Sequence, residues 1–201
     1  MMTHLSPIRS RSCRHFLMLL ILYSISEEKY IPLVAEVADI LQIGSRNMQN
    51  YPFITACAKT GKPIMLKRHY GASLRDWLGA AEYIMIEGNT QVILCERGVS
   101  VPHTHRATSR FLLDLQVVPA AQEMTHLPVV VDPSHATFWR PWVAPMALGE
   151  IAAVADSVIL EVHPDPSNAA VNPLQPVDFA EFSNMMKRMQ AVAQAIGRRV
   201  L

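Results

Sequence analysis

Three cations stand at equivalent places in this sequence. Arg46 comes three residues after the run Asp39–Ile43, Lys67 closes the run Pro63–Lys67, and Arg97 comes two residues after Gln91–Cys95. Side chains of one charge that share a mouth repel each other unless an anion sits between them. Phosphate suits such a mouth, because arginine offers a planar fork of donors and lysine a point charge. Surface ion pairing is the plainer alternative for each cation taken singly. His135, which follows Asp132-Pro133-Ser134, and Glu161 make a second pair. An imidazole and a carboxylate on neighbouring strand ends can hold a divalent metal. Two ligands are few for a metal, and a histidine in that context equally caps or packs. Gln42 shares strand parity with Arg46 and so points to the interior, where an amide needs partners. We expect it to make an internal hydrogen bond with no part in chemistry. Cys95 reads as a small core residue, and Met185, Met186 and Met189 as packing of a helix. His69, His103 and His105 fall in loops and receive no role.

The elements that must position these residues alternate. Short aliphatic runs cover Leu17–Ile25, Asp39–Ile43, Pro63–Lys67, Gln91–Cys95, Leu127–Val131 and Ser157–Val162. Longer segments of helical periodicity lie between them. Ser73 with Asp76 opens a helix in which Leu74, Trp77, Leu78, Ala81 and Met85 recur at helical spacing. Asp178 opens a last helix with Phe179, Phe182, Met186, Met189 and Val192 on one stripe and Gly197 at its end. Strands alternating with helices predict βα units around a parallel sheet, and near-continuous apolar runs predict a sheet covered on both faces. In such folds function gathers at the C-terminal ends of the strands. Polar or charged residues close the second to sixth runs, which points to one site ringed by strand ends.

The chain has 201 residues, half of them apolar and 17% charged, with a formal net charge of +1. That is a globular composition, with no basic surplus for nucleic acid and no acidic tail. Cys13, Cys57 and Cys95 are scattered without paired spacing, which fits a reducing cytoplasm. Arg9, Arg11 and Arg14 precede an apolar run from Phe16 to Tyr23 that has the outline of an export signal. A bilayer needs ~20 apolar residues, more than this run offers, so it reads as either an export signal or a buried strand. We expect one domain.

The wording of the strand ends is distinctive. Ile40–Asn50 reads ILQIGSRNMQN, Lys62–Arg68 reads KPIMLKR, and Ala81–Gly98 reads AEYIMIEGNTQVILCERG. Leu127–Ala136 reads LPVVVDPSHA, and Leu160–Pro166 reads LEVHPDP. From about Leu17 onward the chain resembles the class I 3-deoxy-D-arabino-heptulosonate-7-phosphate (DAHP) synthases, in the branch near the KDO-8-phosphate synthases. The resemblance implies a TIM-type (β/α)8 barrel. It also implies condensation of phosphoenolpyruvate with erythrose 4-phosphate, assisted by a divalent metal such as manganese, as the first step of aromatic biosynthesis. Arg46, Lys67 and Arg97 match the family's phosphoenolpyruvate contacts, with the Ser45 amide beside them. Lys67 and Glu96 are the expected catalytic pair. His135 and Glu161 match two of four metal ligands.

The sequence also departs from that pattern. The first two barrel strands, which carry the family's Gly-Pro-Cys and Lys-Pro-Arg-Thr, have no counterpart. We therefore expect about six of eight βα units over residues 17–201, preceded by an unmatched segment 1–16 in which Cys13 is no ligand. Asn172-Pro173 stands where Asp-Gly is usual, Phe138-Trp139-Arg140 where Gly-Arg-Arg is usual, and Tyr23-Ser24 where Thr-Glu is usual. A small insertion between Val99 and Arg110 carries His103 and His105. Open sheet edges invite a partner, either a second copy or a related synthase. The alternative to an enzyme is a non-catalytic phosphate-binding or regulatory protein that assembles with a full-length synthase.

Overall fold

The structure, a computed structural model, describes residues 22–102, 105–106 and 111–198. Six strands form one sheet: β1 Leu22–Ile25, β2 Ile40–Ile43, β3 Ile64–Lys67, β4 Val92–Glu96, β5 Val129–Val131 and β6 Ser157–Val158. They lie in sequence order and every pair is parallel. The helices between and after them are α1 Ile31–Val37, α2 Tyr51–Ala58, α3 Leu74–Ile86, α4 Val117–Met124, α5 Pro133–Thr137, α6 Arg140–Ala152 and α7 Phe179–Ala195. This is the expected α/β alternation, with six parallel strands among the described residues. The expected boundary at residue 17, the unmatched segment 1–16 and His103 lie outside the described residues.

Two-residue periodicity sorts the strand side chains onto two faces. Leu41, Ile43, Ile64, Leu66, Val92, Leu94, Val129 and Val131 join α2, α3 and α4 in the larger core. Met65, Cys95 and Val130 pack on the other face with Leu22, Ile40, Ile93 and Ile159. Cys95 is thus the core residue its context predicts. The register pairs Ile43 with Leu66, Lys67 with Cys95 and Glu96 with Val131, which brings the polar strand ends level.

The helix starts follow the sequence closely. Ser73 and Asp76 make a reciprocal capping box at α3, and Asp178 with Glu181 makes another at α7. The stripe on α7 packs largely as expected: Met189 is buried and Phe182, Met186 and Val192 lie half-buried against the same core. Phe179 is the exception and is exposed, and Met185 and Ala193 widen the buried face. The last strand is also shorter than its run. After Val158 the chain keeps one further parallel bridge, Val162 to Val177. Among the described residues no helix is long and apolar enough to cross a membrane.

Candidate anion site at the strand ends

Alternation decides which polar strand ends meet. On β3, Ile64 and Leu66 face the helices, so Lys67 follows Met65 onto the inner face. The same parity turns Gln42 inward on β2. On β4, Glu96 follows Leu94 outward, and Arg97 beyond it turns inward. One cavity of about 510 Å³ lies at these ends, lined by Arg46, Lys67, Arg97 and His135 with Ser24, Ser26, Gln42, Gly44, Ser45 and Asn47. The sheet curls enough for the end of β1 and the start of α5 to share one hollow. The three cations predicted from spacing converge there, with Ser45 beside them.

Each cation is held differently. Lys67 is 5% exposed, and its Nζ donates to Asp132 Oδ2 at 2.5 Å. Burial alone would pull the ammonium down, but the Asp132 carboxylate overrides it and holds Lys67 above its ordinary value. Asp132 is itself buried. Burial would push its carboxyl up, but Lys67 and His135 hold it well below the usual carboxylate range. Arg97 is buried, with its guanidinium carbon 4.2 Å from the centre of the Phe111 ring. Arg46 is exposed on a short 3-10 turn, Ser45–Asn47, that opens after Gly44. Asn47 donates from Nδ2 to the Ser26 carbonyl at 3.4 Å and so ties this turn to the end of β1.

Glu96 does not line the cavity. It is fully buried on the helix side, where Oε2 accepts from Arg68 Nη1 at 3.0 Å and Oε1 from the Gly98 amide at 2.7 Å. Burial pushes its carboxyl up against the opposing pull of Arg68 and the Gly98 N–H. Gln42 also departs from expectation. It stands on the cavity wall, and its Oε1 is buried without a hydrogen-bond partner among the described residues. The expected internal bond is not made among the described residues.

His135 and Glu161 are brought together as expected, with His135 Nε2 3.1 Å from Glu161 Oε1. The other ring nitrogen, Nδ1, lies 2.8 Å from Asp132 Oδ2. Asp132 Oδ1 also accepts from the His135 amide and caps α5. Asn172 sits in a left-handed turn at φ 50 and uses its carbonyl to accept from the Gln175 amide. It does not line the cavity. Among the described residues no three histidine, cysteine, aspartate or glutamate side chains gather to hold a metal. Two donors that bond to each other fall short of what a divalent ion requires, so these residues do not fit the implied metal.

Three residues that matter here were not singled out by sequence reasoning. Asp132 had a signal, since its parity with Val130 turns it inward beside Lys67. Arg68 and Asp114 had none, because their partners lie far away in the chain. Arg68 Nη1 also donates to Asp114 Oδ2 at 2.8 Å, and its Nε donates to the Ala72 carbonyl at 3.0 Å. A fourth group lies deeper. Glu150 of α6 is fully buried, and both carboxyl oxygens lack a hydrogen-bond partner among the described residues. Burial, reinforced by Asp132 and Glu96, pushes it well above the ordinary carboxylate value.

Known proteins share this sequence and this fold. Residues 9–197 match the DAHP synthetase I family. A phospho-2-dehydro-3-deoxyheptonate aldolase of Thermotoga maritima is 40% identical over 173 residues, which is 86% of this chain and 50% of that protein. A 2-dehydro-3-deoxyphosphooctonate aldolase of Desulfosudis oleivorans is 26% identical over 186 residues, covering 87% of this chain and 65% of that protein. The crystal structure of the Thermotoga maritima DAHP synthase superposes with a TM-score of 0.86 at 38% identity, covering 91% of this chain and 53% of that one. A truncated form of the same synthase gives the same TM-score, with 69% of that chain covered. This chain thus spans about half the length of the Thermotoga relative. Family, fold and the wording of the strand ends agree, and the chain belongs to the DAHP synthetase I family.

Proposed function

We propose that the strand-end cavity binds phosphoenolpyruvate and that the protein acts in its condensation with erythrose 4-phosphate, a DAHP synthase reaction of aromatic amino-acid biosynthesis. One observation carries this reading: Arg46, Lys67 and Arg97, from three separate strand ends, line a single cavity large enough for a small phosphorylated acid. Arg97 presents a fork to the phosphate, Arg46 closes the exposed side, and the Ser45 amide joins them. Lys67 takes the catalytic place. Its ammonium, kept charged by Asp132, holds a proton at Nζ inside the cavity, where it can stabilise or protonate an oxyanion. Glu96 supports from the helix side rather than by touching substrate.

The divalent cofactor implied by the family, manganese or a similar ion, would meet His135 and Glu161. Those two residues are engaged with each other. That contact also supports a second reading, a phosphate-binding protein without turnover that assembles with another synthase chain or a second copy. The buried free thiols Cys57 and Cys95 support a reducing, cytoplasmic setting.

Lys67→Ala or Arg97→Ala should weaken phosphoenolpyruvate binding by roughly 1.5–3 kcal/mol, the scale of a charge-assisted hydrogen bond. Isothermal titration checks this, and unchanged affinity in both variants would count against the site. Consumption of phosphoenolpyruvate with erythrose 4-phosphate and manganese separates the two readings. Turnover that EDTA abolishes supports the enzyme and reverses our reading of the metal pair. Binding without turnover supports the second.

A further inference from the structure

We propose that Arg68, Glu96 and Asp114 form a positioning clamp on the helix side of the sheet, which fixes where Lys67 and Arg97 stand in the cavity. The inference rests on the anion reading of that cavity and adds residues that do not themselves touch the ligand.

The clamp and the cavity cations are sequence neighbours on opposite faces. Arg68 follows Lys67, and its amide donates to the Cys95 carbonyl at 2.9 Å, which holds the end of β3 against β4. Glu96 precedes Arg97. Its side chain accepts the Gly98 amide, so the backbone on either side of Arg97 is closed by one hydrogen bond. That closure uses φ +97 at Gly98, and a Cβ there would stand 2.8 Å from the Phe111 Cβ. Only glycine fits the position. The Arg68 guanidinium joins this piece to the end of β3 through Glu96, and to a third piece through Asp114.

The third piece is the return of the segment that leaves after Gly98. Val99 and Leu112 exchange two backbone hydrogen bonds of 2.9 Å, and Asp114 lies two residues further on. This return carries Phe111, the ring beneath the Arg97 guanidinium. One buried arginine therefore ties together the strand end bearing Lys67, the turn bearing Arg97 and the platform under Arg97. Burying such a charge network is a poor way to add stability, since hydrophobic replacements of similar volume often do as well. Its value is in registry. The ends of β3 and β4 are tied together, and the spacing of Lys67 and Arg97 in the cavity is fixed with them.

The test is titration of inorganic phosphate into the full chain, with Asp114→Asn as the main variant because Asp114 is partly exposed and easiest to change without unfolding. Glu96→Gln is a second variant that keeps the shape of the buried side chain. Each should weaken phosphate binding about tenfold while the melting temperature moves by only a few degrees. In an Arg97→Lys background, which removes the planar group the clamp positions, Asp114→Asn should add less than about a twofold further loss. A residue that only stabilised the fold would give effects that multiply in both backgrounds. Affinity within about twofold of the unmodified protein, or independent effects in the double variant, overturns the clamp alone. If the unmodified protein binds no phosphate, the anion reading fails and takes the clamp with it.

Discussion

Asp132→Ala is expected to destabilise the fold by roughly 3–5 kcal/mol, the scale of removing one partner from a buried ion pair. Asp132 receives the Lys67 ammonium, the His135 amide and the His135 ring, and it is itself buried. Alanine would strand the lysine charge in the wall of the cavity and uncap α5 at the same stroke. Urea unfolding at neutral pH measures the loss, and a change below about 1 kcal/mol would show that Lys67 is not paired as described. Replacing both partners with apolar residues, as in Lys67→Met with Asp132→Leu, should be milder, because no charge is then left buried alone. The pH dependence has a definite sign. The folded carboxyl lies below its unfolded value, so the contribution is present above the ordinary carboxylate range and is lost as pH falls below it.

Glu150→Met should move stability the other way, with a gain of about 1–3 kcal/mol at neutral pH from removing an unsatisfied buried polar group. Both Glu150 oxygens are buried without a partner among the described residues, on the face of α6 that also buries Val143, Ala147 and Ile151. Methionine matches the length and adapts to the space. Here the folded carboxyl lies above its unfolded value. The native protein therefore loses stability as pH rises above the ordinary glutamate range, whereas the variant does not. Thermal melts at about pH 5 and pH 8 should show the gap between the two proteins widening with pH. A gap that narrows would mean that Glu150 is ionised and paired in the folded state.

Most of the fold was legible because parallel strands and amphipathic helices write themselves locally. The runs around Leu41, Leu66 and Leu94 became strands, and Ser73 and Asp178 became caps. The cavity cations were legible for the same reason, since a cation just past an aliphatic run sits on a predictable rim. Glu96 was misplaced although the signal was there. It has the parity of Leu94, which packs on the helices, and not that of Arg97. Glu150 also had a signal, one turn from Ala147 and adjacent to Ile151 on the buried stripe. Arg68 and Asp114 were out of reach. Their contact spans 46 residues, and no local pattern distinguishes an arginine that turns behind a sheet from one that ends in water. Gln42 failed for a different reason. Parity gave its direction, but not whether a donor would stand within reach of its Oε1.

The pairing of Lys67 with Arg68, and of Glu96 with Arg97, on opposite sides of one sheet makes these strands intolerant of changes in length. Deleting one residue within β3 would leave composition and net charge almost untouched, yet it would turn Arg68 into the hollow and Lys67 toward Glu96. Genetic drift in this chain should therefore leave strand lengths fixed and collect its gains and losses of residues in the connections between strands, where no alternation is carried across.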